Sequence, residues 1–128
     1  MKLLIVDDEI YIVRALQKNI AWNEMDIDHI YSAFNVEKAK EILQKEEIDI
    51  IITDIEMPRT SGLDLLEWIR ESGYTCKAVC LTCHDEFKYA QRAMRCQVDD
   101  YILKPIDFQK LREIVEGLVL KIKKERLD

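Results

Sequence analysis

A doubly wound α/β fold built on a central parallel sheet is what this sequence predicts, and two observations carry the prediction. Five short apolar runs, rich in branched and aromatic residues, recur along 128 residues, and between them the apolar spacing changes to threes and fours. The third and fourth runs are apolar on both alternating faces, as strands covered by helices on each side must be, whereas an antiparallel sheet with one wet face would alternate. Strict strand-then-helix alternation in a single domain implies right-handed crossovers, because a twisted strand and its helix pack back onto the sheet only that way.

The first strand is "KLLIV" at 2–6, and the helix after it is marked by Ile10, Val13, Leu16 and Ile20 on one stripe. "HIYSAF" at 29–34 and "IDIIIT" at 48–53 are the second and third strands, each followed by a helix. The third helix is placed by Gly62 before "LDLLEWIR", with Leu63, Leu66 and Ile69 inward and Gly73 as its C-terminal stop. "KAVCLT" at 77–82 is the fourth strand, and "DEFKYAQRAM" the fourth helix, with Asp85 as N-cap. "DYILK" at 100–104 completes the sheet, and Phe108, Leu111, Val115, Leu118 and Ile122 form the stripe of the fifth helix. "KIKKERLD" is polar except for Ile122 and Leu127, so the domain is expected over 1–123, with 124–128 a tail or the start of a linker.

Nearly half of the residues are apolar, enough for one core and not for two. Nineteen basic side chains against twenty-five acidic leave a net charge of -6, and the only basic run is the terminal "KIKKER", which argues against nonspecific nucleic-acid binding by this chain. "MKLLIVDDE" is too short for the apolar core of a signal peptide, and no stretch is long enough to span a bilayer, so the cytoplasm is the expected compartment, with no membrane contact. Four cysteines lie in the second half: Cys76, Cys80, Cys83 and Cys96. "CLTCH" at 80–84 invites a zinc reading, but no second Cys/His pair stands at ligand spacing and Cys80 sits inside an apolar strand, so reduced thiols packed as small apolar residues are expected.

In an open parallel sheet the ligand crevice lies outside the carboxyl ends of the strands, near the reversal of strand order. Here the first strand ends in Asp7, Asp8 and Glu9, the third in Asp54, the fourth in Thr82, and the fifth in Lys104 before Pro105. Carboxylates about 4 Å apart repel by roughly 4 kcal/mol per pair at an effective dielectric of about 20, so such a cluster calls for a cation. An all-oxygen set suits Mg²⁺, with Mn²⁺ an alternative, and zinc would want nitrogen or sulfur. A carboxylate fixed beside that ion is placed to take a phosphoryl group, with Asp54 as nucleophile, Thr82 as hydrogen-bond donor to the modified form and Lys104 as its counter-charge. Any one of these residues alone is more often a cap or a solvated turn; four complementary groups at the ends of different strands are hard to obtain by accident.

The residues "LLIVDDE" at 3–9, "DIIITDIEMP" at 49–58 with "SGLDLL" after it, Thr82, and "DDYILKP" at 99–105 make the whole chain resemble a receiver domain of a two-component response regulator. That resemblance implies a flavodoxin-like (βα)5 fold with strand order 2-1-3-4-5, for which a receiver is a standard illustration. It implies a Mg²⁺-dependent transfer to Asp54 from a partner histidine kinase, with the metal held by Asp7, Asp8 (the more direct of the acidic pair), Asp54 and the backbone carbonyl of Glu56. Thr82 and Tyr101 match the pair that moves inward on phosphorylation and alters the face of the fourth helix, fifth strand and fifth helix, a face that also offers a homodimer or partner surface. Lys104 matches the phosphate-binding lysine, and the bond before Pro105 is expected to be cis. "AWNEMDI" at 21–27 and "HDEFKYAQRAM" at 84–94 are similar to receivers that precede an AraC-type DNA-binding domain, so an output domain beyond Asp128, controlling transcription, is expected over a stand-alone receiver, and DNA would be reached only through it.

The sequence departs from the family's habit in several places. Cys83 follows the switch threonine where Ala or Gly is commoner, Arg59 and Val36 replace common glycines, and Gln97 stands where a glycine usually ends the fourth helix, which requires a positive φ of a residue with a side chain. Glu56 and His84 occupy positions that in the family tune dephosphorylation. Two rivals remain: a phosphatase of the haloacid dehalogenase type, which shares the aspartyl phosphate but carries its nucleophile in a D-x-D motif on the first strand, and a receiver-like module that switches partners without phosphate. The first fails on order and the second on the full acceptor set, so the chain is expected to be a phosphoacceptor and switch and not a turnover enzyme, at most assisting its own phosphorylation and dephosphorylation.

Overall fold

The computed structural model describes residues 1–57, 61–83 and 87–127, with residues 87–90 described by their backbone only. Five strands, β1 (Lys2–Val6), β2 (His29–Ala33), β3 (Ile50–Asp54), β4 (Lys77–Thr82) and β5 (Asp100–Leu103), alternate with five helices, α1 (Ile10–Asn19), α2 (Val36–Lys45), α3 (Gly62–Glu71), α4 (Phe87–Arg95) and α5 (Phe108–Leu127). The sheet is parallel throughout, in the order β2-β1-β3-β4-β5, as expected.

Alternate residues of each strand feed two cores. Leu3, Ile5, Ile50, Ile52, Val79, Leu81 and Ile102 face α1 and α5, while Leu4, Val6, Ile51, Ala78 and Cys80 face α2, α3 and α4. In β1, β3 and β4 neither face meets water, which is why these strands carry unbroken apolar runs, whereas the edge strands β2 and β5 are partly exposed.

Local chemistry sets several of the helix ends. Asn35 caps α2, its side chain accepting from the Lys38 amide at 2.8 Å. Ser61 and Asp64 form a reciprocal capping box at the start of α3. Gly62 is required there: a Cβ would lie 2.0 Å from the Asp54 carbonyl oxygen, so the turn into α3 closes directly on the end of β3. Gly73, at φ +86°, ends α3 as expected. Gln97 does adopt φ 57° after α4, and the Arg70 guanidinium donates to the carbonyls of Cys96 and Gln97, fixing that turn. The Lys104-Pro105 bond is cis.

Several expectations change. The stripe of α1 begins at Val13, because Ile10 opens the helix beyond the covered part of the sheet and is exposed. A 3₁₀ turn at Trp22–Met25 lies between α1 and β2: Trp22 and Met25 are buried against α1 and α5, the Trp22 indole N–H donates to the Leu16 carbonyl, and Asp26 closes the turn at φ 62°. Residues 124–127, expected to fade into a tail, continue α5, whose last turn is tied to the sheet's other edge by Lys77 to Glu125 at 2.9 Å and by Arg126 to Asp49. Cys76, Cys80 and Cys96 are buried free thiols, as expected, but Cys83 is exposed. Cys80, on β4, packs into the core beneath α2 and α3, and burial pushes its thiol up to about 12, so it stays protonated. Among the described residues no helix is long and apolar enough to cross a membrane. Pro58, Arg59, His84 and Asp85, singled out above, lie outside the described residues.

The two helical glycines separate close approach from mere helix propensity. Gly62→Ala is expected to lower stability by more than about 2 kcal/mol, since backbone must shift, whereas Gly117→Ala, in α5 with nothing near, is expected to raise it by about 0.5–1 kcal/mol. Urea unfolding midpoints of the two variants check both signs.

Candidate acidic metal and phosphoacceptor site

Parallel pairing fixes which side chains meet. β1 and β3 are neighbours, with Val6 opposite Thr53, so the residues that follow them, Asp7 and Asp54, emerge side by side at the carboxyl edge. β4 lies on the other flank of β3, with Asp54 opposite Leu81, which brings Thr82 to the same edge. β5 delivers Lys104, whose amide donates to the Thr82 carbonyl at 2.8 Å.

The acids differ in environment. Asp7 is 0% exposed and Asp54 2%, whereas Asp8 is open to solvent. The Asp7 carboxylate accepts from the Glu9 amide at 2.9 Å, and Asp54 Oδ1 accepts from the Glu56 amide at 3.2 Å. Lys104 Nζ lies 3.2 Å from Asp7 Oδ2 and 3.4 Å from Asp54 Oδ2. Asp7, Asp8 and Asp54 each offer an oxygen, all within 4.8 Å of one another. Three carboxylate oxygens with no nitrogen or sulfur ligand among the described residues make a hard donor set that suits an octahedral divalent cation.

Electrostatics follow from burial. Burial pushes Asp54 up to about 6; the Glu56 amide opposes the rise, and the neighbouring Asp7 adds to it. Asp7 is also raised, again chiefly by burial, against the pull of the Glu9 amide and Lys104. Burial alone would lower Lys104, but the charges of Asp54 and Asp7 outweigh it and hold the ammonium above its usual value. Among the described residues one cation therefore stands against two buried acids, and the site is short of positive charge.

Asp7, Asp8, Asp54 and Lys104 thus converge as expected. Thr82 is buried at the same edge, but its hydroxyl donates to Glu56 Oε1 at 2.6 Å. Tyr101 stays outside the cluster: it is 37% exposed, and its partner across the sheet is Cys80, while Thr82 pairs with Leu103. Two features escaped sequence reasoning. The Glu56 carboxylate reaches both Thr82 and the Cys83 amide, for which the only sequence signal is an acid two residues after Asp54. Gly62 beneath Asp54 was read as a helix start, although its position shortly after the strand end hints at the close approach.

Comparison with known proteins agrees with this geometry. The family model for the response regulator receiver domain matches residues 3–116. The transcriptional regulatory protein HptR of Staphylococcus aureus is 36% identical over 118 residues, which is 92% of this chain and 46% of HptR. The chain spans about half the length of the curated relatives it matches. Among solved structures, the receiver domain of AraT, a response regulator from Geobacillus stearothermophilus, is 40% identical, with a TM-score of 0.88 over 98% of this chain and 97% of that one. The response regulator TrrA of Thermotoga maritima, solved in complex with Mg²⁺ and beryllium fluoride, is 31% identical, with a TM-score of 0.78 over 91% of this chain and 97% of its own. With its acidic edge, its lysine and its strand order, the chain belongs to the response regulator receiver domain family of two-component systems.

Proposed function

We propose that this receiver accepts a phosphoryl group on Asp54 from a partner histidine kinase, with Mg²⁺ at the Asp7, Asp8 and Asp54 carboxylates and the Glu56 carbonyl. The observation that carries the reading is the placement of Lys104 Nζ within 3.4 Å of both Asp7 Oδ2 and Asp54 Oδ2, with Asp8 in reach of a shared cation. The beryllium fluoride complex of TrrA supports the choice of Mg²⁺ and of a phosphoryl-like ligand.

The chain's own groups have separable tasks. Asp54, with its value near 6, is mostly ionised at neutral pH and offers one carboxylate oxygen to phosphorus. As the new P–O bond forms, the bond from phosphorus to the donor's nitrogen breaks, and the donor leaves with that electron pair. Bound Mg²⁺ supplies charge neutralisation at the transferring oxygens. Lys104 exchanges part of its contact with Asp7 for a phosphoryl oxygen, and Thr82 turns its hydroxyl toward another. Movement of Thr82 then makes room for Tyr101, remodelling the surface of α4, β5 and α5, through which a homodimer or an output domain is engaged. The output we propose is transcriptional control through an AraC-type DNA-binding domain in a cytoplasmic protein, with the chain a switch that turns over no substrate; the name of HptR, a transcriptional regulatory protein, supports the transcriptional part.

Incubation with acetyl phosphate and Mg²⁺ is expected to add the mass of one phosphoryl group to the wild type and none to Asp54→Asn; equal labelling of the two chains contradicts the assignment. A second expectation concerns stability. A carboxyl whose folded value is raised from 3.8 to about 6 costs stability at neutral pH, and that cost disappears as pH falls through 6 toward 3.8, because the folded form then takes up a proton the unfolded form does not. Asp54→Asn is therefore expected to be more stable than wild type at pH 7 by about 1–3 kcal/mol and to lose that advantage below pH about 4, as read from urea unfolding at each pH. Added Mg²⁺ is expected to raise the melting temperature of the wild type more than that of the variant.

A further inference from the structure

We infer that the outward stripe of α5 is a contact surface for a second copy of this chain, the two α5 helices lying antiparallel about a two-fold axis between Gly117 and Leu120. The inference is independent of the phosphoacceptor reading, and the contact uses neither α4 nor β5.

The stripe is defined by what the rest of α5 already holds. On one flank Arg112 meets Glu24 at 2.9 Å and Lys123 meets Asp26, so that side is closed by the 3₁₀ turn. On the other flank Glu125 meets Lys77 of β4. Inward lie Leu111, Val115, Leu118, Val119 and Ile122. Between the flanks run Glu113, Gly117, Leu120, Lys124 and Leu127, at spacings of four and three, and all five are exposed. Leu120 is 67% and Leu127 86% exposed, two leucines one heptad apart that the inner core does not use.

This stripe matches a reversed copy of itself. The midpoint between Gly117 and Leu120 is also the midpoint between Glu113 and Lys124, and between Lys110 and Leu127, so one two-fold axis aligns all three pairs. About that axis Leu120 enters the space over the second copy's Gly117, where a Cβ would have nothing within 4 Å and the missing side chain lets the helices approach. Glu113 comes opposite the second copy's Lys124. Among the described residues the Glu113 carboxylate accepts only from Gln109 of its own helix, at 3.2 Å, and Lys124 meets no acid, so both charges are open to a partner. Leu127 lies against the aliphatic stem of the second copy's Lys110. A parallel pairing instead sets glutamate against glutamate and lysine against lysine. One helix face of about four turns buries less than the roughly 800 Å² per partner of a stable interface, so the association is weak and concentration-dependent.

The test is sedimentation velocity of the 128-residue chain at low ionic strength, over a concentration series reaching the millimolar range. Wild type is compared with Glu113→Lys, Lys124→Glu, the Glu113→Lys/Lys124→Glu pair, Leu120→Asp and Glu37→Lys, which makes a like change of net charge on α2. Because the axis doubles every pair, each single reversal turns two attractions into two repulsions and is expected to weaken dimerisation roughly tenfold. The double reversal restores the match and is expected to return to within about threefold of wild type. Leu120→Asp is expected to abolish the dimer, and Glu37→Lys to leave it unchanged. A wild-type chain that stays monomeric throughout the series overturns the inference, as does self-association that the reversals or Leu120→Asp leave untouched, which places the contact elsewhere. Single reversals that weaken the dimer with no recovery in the double variant also overturn it, since the antiparallel register requires that recovery.

Discussion

Lys104 Nζ lies 3.2 Å from one buried carboxylate and 3.4 Å from another, and the rest of the described site is arranged around that ammonium. Two acids removed from water would ordinarily be expelled or neutralised. Here backbone amides supply part of what solvent would give: Glu9 donates to Asp7 and Glu56 to Asp54. Among the described residues the remaining deficit of positive charge favours a divalent cation at the carboxylates.

The fold's contribution is to make that strained arrangement rigid. Both faces of β1, β3 and β4 are packed into the two cores, so Asp7, Asp54 and Thr82 sit at the ends of strands that have no freedom to slide. Gly62 lets the turn into α3 close on the Asp54 carbonyl, which leaves the acceptor no slack behind it. Beyond this frame the chain is looser in chemistry: Asp8 and Cys83 face solvent, and Tyr101 is partly exposed on β5.

The sequence carried the sheet, its order and the four converging groups, because each depends on local signals: unbroken apolar runs for buried parallel strands, and charged residues where those runs stop. Gln97 and Pro105 were legible for the same reason, as backbone demands of particular turns. What escaped depends on distant partners. The 3₁₀ turn holding Trp22 has no period of its own and is fixed by a bond from its indole to Leu16 and by packing on α5. Residues 124–127 read as polar tail, yet they continue α5, where Glu125 and Arg126 meet Lys77 and Asp49, partners far away in sequence. Glu56 stands out in the sequence only through its spacing from Asp54, and that its carboxylate meets Thr82 and the Cys83 amide is revealed only by the β3 and β4 pairing.

The charge deficit at the strand ends is the central claim, and the titration of the Asp54 carboxyl carbon, followed by NMR in the metal-free chain and again with Mg²⁺, tests it most directly. The account expects a midpoint raised from 3.8 to about 6 without metal, because burial opposes the anion, and a marked fall once the cation is present. A midpoint at the ordinary 3.8 that ignores Mg²⁺ would contradict it.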